Sequence, residues 1–425
     1  MIKEKIMVKT VKDVELKGKR IVMRVDFNVP MKDGKVQDDE RIVAAIPTIE
    51  YLLKQEVRSI VLMSHLGDPE KDMKKAEEKA KKQGEPFNPS AYIESKHKIK
   101  NVVARLSEKL GIPVQTAPSC IGQAERVNSL QDGGILMLEN TRFEKGEKSK
   151  DASERETLAK ELARYGEIFV NDAFGSAHRE HASTSTIAKF TKEAVAGLLM
   201  KKEIEHLEPI VKNPKKPFTA IIGGAKVSSK ISVLQSLLQK ANTLIIAGGM
   251  AYTFLKVQGH SIGDSILEED YLDTAEKLLK DAKEKGVKII LPIDHIVATK
   301  FAEDAEPIAI DSIDIPSGHV GLDVGRKTLE SYREAILSSV SIVWNGPVGV
   351  FEFKNFAKGT EELAKMVAEA TTKGAISIVG GGDSVAALNR FNLSSKMTHV
   401  STGGGASLEY LEGKVLPGIA CLETI

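Results

Sequence analysis

Four glycine-rich turns in the second half of the chain each follow a short apolar run: Ile221-Ile222-Gly223-Gly224, Ile245-Ile246-Ala247-Gly248-Gly249, Ile378-Val379-Gly380-Gly381-Gly382 and Val400-Ser401-Thr402-Gly403-Gly404-Gly405. Short runs rich in Ile and Val are the pattern of strands buried on both faces, as in parallel sheets covered by helices. A glycine turn at the end of such a strand lets bare backbone N–H groups approach an anion at a helix start. Four of these turns in one half point to a polyphosphate ligand.

Candidate strands at 21–25, 59–63, 135–138, 168–170, 218–222, 243–247, 288–291, 342–344, 376–379 and 399–401 alternate with helix-periodic segments that include 44–55, 153–165, 228–240, 269–285 and 360–370. Strand–helix alternation predicts an α/β protein with parallel sheets flanked by helices, and ligands collect beyond the carboxyl ends of such strands. A length of 425 residues suits two domains of about 200 each. A long amphipathic segment runs into Asn213-Pro214-Lys215-Lys216-Pro217, whose prolines end any helix. The expected division is 1–196, a hinge helix at 197–212, 213–406, and a tail at 407–425 that packs back toward the first domain.

A formal net charge of +1 gives no electrostatic reason to expect a nucleic-acid or anionic-membrane binder, so any anion site is local. No stretch approaches the ~18 uninterrupted apolar residues of a membrane span, and the start from Met1 to Ile6 has no apolar core resembling a signal peptide, so a cytoplasmic protein is expected. Cys120 and Cys421 are far apart and lack metal-ligand or redox spacing, which predicts reduced thiols. Between Pro69 and Gly84, interleaved Lys and Glu describe a solvated surface helix.

In the first half, Asp26 and Asn28 follow a strand that carries Arg24, as an exposed polar pair able to meet a ligand. Arg41 reads either as a surface ion-pair residue or as part of a site. Ser64-His65-Leu66-Gly67, Glu139-Asn140-Thr141-Arg142 and Asn171-Asp172-Ala173-Phe174-Gly175-Ser176-Ala177-His178-Arg179-Glu180-His181 all follow apolar runs. They bring His65, Arg142, His178, Arg179 and His181 to one sheet edge, where planar guanidinium groups suit a small phosphorylated acid. A zinc site at His178 and His181 is disfavoured, because the spacing of three lacks a third ligand.

The second half lacks both the Gly-x-Gly-x-x-Gly dinucleotide fingerprint and the Gly-x-x-x-x-Gly-Lys-Ser/Thr loop, which disfavours a dehydrogenase or a P-loop enzyme. Lys226 and Lys230 lie four apart at an expected helix start, where both ammonium groups face one polyphosphate. Asp383 offers a carboxylate to hydrated Mg²⁺ or caps the helix, and Ser384 caps it or touches phosphate. Trp344-Asn345-Gly346-Pro347-Val348-Gly349-Val350-Phe351-Glu352 is a strand and rigid turn ending in an acid, suited to a nucleoside with Glu352 on the ribose.

These segments, RVDFNVP from Arg24, NDAFGSAHR from Asn171, GGAKVSSK from Gly223, WNGPVGVFE from Trp344, GGGDS from Gly380 and STGGGASLE from Ser401, resemble the phosphoglycerate kinase family in order and across nearly the whole chain. The resemblance implies two Rossmann-like domains joined by a hinge helix. It also implies reversible in-line phosphoryl transfer, after hinge closure, from 1,3-bisphosphoglycerate to MgADP, giving 3-phosphoglycerate and MgATP. On that resemblance the acid is held by Asp26, Phe27, Asn28, Arg41, His65, Leu66, Gly67, Asp68, Arg142, His178 and Arg179. The nucleotide is held by Gly224, Lys230, Gly248, Gly249, Asn345, Pro347, Glu352, Gly381, Gly382, Asp383 and Ser384, with Asp383 on the Mg²⁺. Arg41, Lys226, Gly403, Gly404 and Gly405 surround the phosphoryl group in flight. A monomer with no nucleic-acid or membrane partner is the expectation.

Four positions depart from the common family pattern. Asp68 stands where an arginine is usual after His-Leu-Gly, Ser229 replaces an aspartate, Tyr252 an asparagine or phenylalanine, and Arg326 a proline; the charged insertion after Asp68 is also longer than typical. Two rival readings follow: a catalytically retired homologue that binds through the insertion, and a small-acid kinase with altered acceptor choice.

Overall fold

The computed structural model describes residues 8–425, so the reading of Met1 to Ile6 lies outside the described residues. The chain forms two compact units, one running to Ile204 and including Val415–Ile425, the other Glu205–Lys414.

In the first unit, β1 (Arg20–Arg24), β2 (Ser59–Met63), β3 (Gln115–Thr116), β4 (Gly134–Met137), β5 (Ile168–Asn171) and β6 (Glu193–Ala196) form one sheet in the order β3-β4-β2-β1-β5-β6. Every pairing is parallel, with Ile21 of β1 opposite Ile60 on one side and Ile168 on the other. Because β2 is buried along its whole length, it reads as a continuous apolar run and not as an alternation. Ile21, Met23, Ile60 and Leu62 share a core with Ile42, Ile49 and Leu52 of helix α1 (Glu40–Lys54). The chain winds from β1 to β2 on one side and to β5 on the other, so β1 marks the reversal where a crevice opens beyond the strand ends.

The charged segment is the expected surface helix, α2 (Pro69–Gln83), with proline in its first turn, the Asp68 side chain accepting from Lys71 N, and Gly84 closing it at φ 68°. Val415–Ile425 joins this unit through Gly418, whose N–H donates to Ala177 O and whose carbonyl accepts from Asn171 Nδ2, both at 2.8 Å. Helix α3 (Leu198–Lys212) runs from one unit into the other.

The second unit holds β7 (Phe218–Ile222), β8 (Thr243–Ile246), β9 (Lys288–Ile290), β10 (His295–Ala298), β11 (Ile308–Ile310), β12 (Val320–Val324), β13 (Ser341–Asn345), β14 (Ile376–Gly380) and β15 (His399–Val400). Six of them form a second all-parallel sheet in the order β9-β8-β7-β13-β14-β15. Ile221, Ile245, Trp344 and Val379 from its centre pack with Tyr332 and Leu363.

Two sequence expectations change. Strands β10, β11 and β12 form a separate antiparallel sheet that the strand–helix pattern does not reveal, because loops and not helices connect them. The helix expected over 228–240 is α4 (Ile231–Leu238), since the Lys230 N–H bonds Val227 O at 2.8 Å and closes a turn first. Lys226 and Lys230 therefore sit on the loop ahead of α4 and not on one helix face. No helix among the described residues is long and apolar enough to cross a membrane.

Candidate active site

At the carboxyl edge of the first sheet, Arg142 lies on the short 3₁₀ turn Thr141–Phe143 that follows β4. Its Nη1 donates to Gly67 O at 2.8 Å, while Gly67 N donates to Asn28 Oδ1 at 2.8 Å, tying the turns after β1, β2 and β4 together. Arg41, in the first turn of α1, reaches the Asp26 carboxylate and Asn28 O, each at 3.2 Å. Asp26 is not the exposed group expected: it is 9% exposed and paired with Arg41.

Arg142, Arg179 and His181 line a cavity of 360 Å³ together with Asp68; His65 and His178 do not line it. Burial, and then the charge of Arg24 and Arg142, drive the His65 imidazole well below its usual range and push His181 down to about 3. Both rings are neutral at physiological pH. Of the five basic side chains expected to converge, Arg142, Arg179 and His181 line this cavity, and the imidazoles of His181 and nearby His65 are neutral.

Beneath this edge lies a network that sequence reasoning misses. Arg24, fully buried, donates from Nε to Ser183 Oγ at 2.9 Å, and its Nη2 is 3.1 Å from His65 Nδ1. The buried Glu147 carboxylate accepts from Ser183 Oγ at 2.6 Å, Ser183 N at 3.0 Å and Thr141 Oγ1 at 3.2 Å. Two polar side chains this deep are tolerated because nearly every polar atom has a partner. The only signal in the sequence is an arginine inside an apolar strand.

The second unit presents two adjoining cavities beyond the ends of β7, β8, β13 and β14. The larger, of 650 Å³, is mostly apolar, with Ile266, Phe301, Leu322 and Val348 among its walls and Glu352 at its rim. The smaller, of 430 Å³, is walled by glycine turns with Lys226 and Lys230. They share Gly224, Ala225 and Asp383. Pro347, Gly248 and Gly249 line the first; Gly381, Gly382, Ser384, Gly404 and Gly405 line the second.

The turns pack backbone against backbone. A Cβ on Gly223 would stand 2.1 Å from Pro347 O, and one on Gly346, at φ 95°, 2.2 Å from Gly223 O, so only glycine permits the approach. Asn345 accepts from Lys230 Nζ and donates to Gly380 O at 2.8 Å, so it positions the lysine. Burial lowers the Lys230 pKa, and the Asp383 carboxylate opposes that shift.

Two details differ from expectation. Helix α5 (Gly382–Arg390) is preceded by Gly381 at φ 91°, so neither Asp383 nor Ser384 caps it; the Ser384 hydroxyl accepts from Gly346 N at 2.6 Å. Gly403 does not line the cavity, and its N–H donates to Ser401 Oγ at 3.1 Å ahead of helix α6 (Gly405–Leu411).

The family model described as phosphoglycerate kinase matches residues 11–414. The chain is 57% identical over 419 residues to phosphoglycerate kinase of Treponema pallidum (strain Nichols), covering 99% of this chain and 100% of that protein. The chain belongs to the phosphoglycerate kinase family. It is 53% identical over 418 residues to the Borrelia hermsii member, covering 98% and 99% of the two chains. The solved phosphoglycerate kinase of Coxiella burnetii superimposes with a TM-score of 0.83 at 41% identity, over 97% of this chain and 98% of that one. Family members are phosphotransferases with a carboxyl group as acceptor and use MgADP or MgATP.

Of the departures from the family pattern, Arg326 makes an exposed pair with Glu330 at 3.0 Å, and Ser229 Oγ donates to Lys226 O at 2.9 Å. Tyr252 is buried in the wall of the apolar cavity, and its phenol is raised by desolvation. Asp68 alone stands within the basic cavity.

Proposed function

We propose that this member of the family holds its acid substrate on the basic edge of the first unit and its nucleotide in the paired cavities of the second. The observation that carries the nucleotide half is the junction of an apolar slot with a glycine-walled cavity through Gly224, Ala225 and Asp383. An adenine ring matches the slot, Glu352 at the rim accepts from ribose hydroxyls, and the phosphates meet the glycine turns and Lys230. Arg142 and Arg179 pair with the phosphate of the acid, and Arg41, steadied by Asp26, stands toward its carboxyl end.

Phosphoryl transfer needs charge neutralisation and alignment and little covalent chemistry from the protein. Lys226, exposed on the glycine loop, together with the backbone of Gly404 and Gly405, would neutralise the oxygens of the group in transit. The carboxylate of Asp383 is an exposed hard-oxygen donor beside the phosphate cavity, which fits a Mg²⁺ ion. No cluster of three or more acidic, histidine or cysteine ligands exists among the described residues, so phosphate oxygens and water would complete its shell. When bound, the ion screens negative charge on the phosphates. Because acid and nucleotide lie on separate units, transfer would follow a closure that excludes water, with α3 as the hinge.

The test is the reverse reaction: formation of 1,3-bisphosphoglycerate from MgATP and 3-phosphoglycerate, followed through NADH oxidation in a coupled assay. Turnover saturable in both substrates is expected. A folded protein that binds MgADP without turnover would be a retired homologue, and turnover on acetate or glycerate but not 3-phosphoglycerate would identify an altered acceptor.

A further inference from the structure

The cavity at the edge of the first sheet carries more positive charge than that sheet supplies. Five of its lining side chains are cationic and two are carboxylates, a balance of +3. The two carboxylates are occupied. Asp68 accepts from Lys148 Nζ at 2.9 and 3.0 Å and lies 3.8 Å from Arg142, while Asp72 Oδ2 accepts from Asp68 N at 2.8 Å. The Asp68–Lys148 pair therefore cancels itself.

The remaining charge comes from two sources. Arg142 and Arg179 belong to the turns after β4 and β5, and the buried Arg142 Nε has no hydrogen-bond partner among the described residues. Lys71 and Lys75 come from α2, four residues apart and hence on one face, both exposed and both lining the cavity. Their neighbour Lys74 is paired with Glu70 at 2.9 Å, whereas Lys71 and Lys75 form no ion pair among the described residues. Lys71 also sits in the first turn, where the helix dipole disfavours a cation, so its position gains nothing for the helix itself.

We propose that Lys71 and Lys75 are substrate-binding residues that clamp the phosphate monoester of the acid from the α2 side, taking over the charge that Asp68 removes from the strand edge. The charged insertion is then a specificity element that selects a phosphorylated over an unphosphorylated acid. This rests on the cavity being the acid site.

The experiment compares Lys71→Gln, Lys75→Gln and the double variant with Lys79→Gln, an exposed lysine of the same helix that does not line the cavity. In the double variant the KM for 3-phosphoglycerate should rise about tenfold or more, and its dependence on salt should flatten. The KM for MgATP should stay within about twofold, and kcat should fall less than about threefold. Lys79→Gln should match wild type. Asp68→Asn, which releases Lys148, should lower the KM for 3-phosphoglycerate. An unchanged KM in the double variant, or an equal rise in Lys79→Gln, overturns the clamp while leaving the proposed function standing. A wild type inactive on 3-phosphoglycerate overturns the proposed function instead.

Discussion

The two units carry sheets of the same kind, six parallel strands with a reversal at a central strand, yet the turns beyond their strand ends are built in opposite ways. The first presents side chains: Arg142, Arg179 and the lysines of α2, propped from below by the Arg24–Ser183–Glu147 network. The second presents backbone: glycine turns so close that Gly223 and Gly346 admit no Cβ, with Lys230 as a tethered cation. A guanidinium fork discriminates among small acids by shape and charge, whereas rows of N–H groups accept a polyphosphate whose identity is read at the base and ribose. On the proposed assignment, one scaffold serves two recognitions because the chemistry is confined to the turns beyond the strand ends.

The largest effect expected from breaking this contrast is at the transferring group. Lys226→Ala should lower kcat by about 10²- to 10³-fold while the Kd for MgADP changes less than about threefold, since the lysine is assigned to charge that develops in transit. Near-wild-type turnover would remove it from the catalytic set. Next comes the backbone packing: Gly223→Ala places a methyl 2.1 Å from Pro347 O and should cost roughly 1–3 kcal/mol of stability, read by denaturant unfolding, along with nucleotide affinity. A fully stable variant would mean that the glycine is not a packing requirement.

Each unit also buries one acid whose ionisation opposes folding. Burial raises Asp172 and Asp323 to about 7, even though Asp172 Oδ1 accepts from Met200 N at 3.0 Å and Asp323 Oδ2 from Gly359 N at 2.7 Å. Between about pH 4 and pH 7 the folded state keeps a proton that the unfolded state has released, so stability falls as pH rises, by up to about 1.4 kcal/mol per pH unit for each group. Above pH 7 that contribution is flat. Asp172→Asn should therefore gain on wild type steadily across this window, and parallel stability curves would refute the buried-acid assignment. The smallest effect is Glu352→Gln, which should weaken MgADP binding by about tenfold in a titration; an unchanged Kd would end the ribose assignment.

The strand positions and the glycine turns are legible in the sequence because each depends on local order: an apolar run, then residues able to take φ above zero, as at Gly224, Gly248 and Gly381. What stays hidden depends on contacts distant in sequence. Glu147 pairs with Ser183 thirty-six residues away, and nothing local distinguishes it from a surface acid. The walls of the apolar slot, Ile266, Phe301 and Leu322, come from or adjoin a three-stranded antiparallel sheet without helical punctuation. Histidine charge is also out of reach, because His65 and His181 are neutral only by virtue of burial beside arginines. The Lys226–Lys230 pair misleads for a local reason: a turn ends at Lys230 before the helix can begin.

The most direct test of the contrast between the two edges is a crossed calorimetric titration of 3-phosphoglycerate and MgADP against wild type, Arg142→Ala and Lys230→Ala. A diagonal result is expected, with Arg142→Ala weakening only the acid and Lys230→Ala only the nucleotide, each by about tenfold or more. Loss of nucleotide binding in Arg142→Ala equal to its loss of acid binding would contradict it.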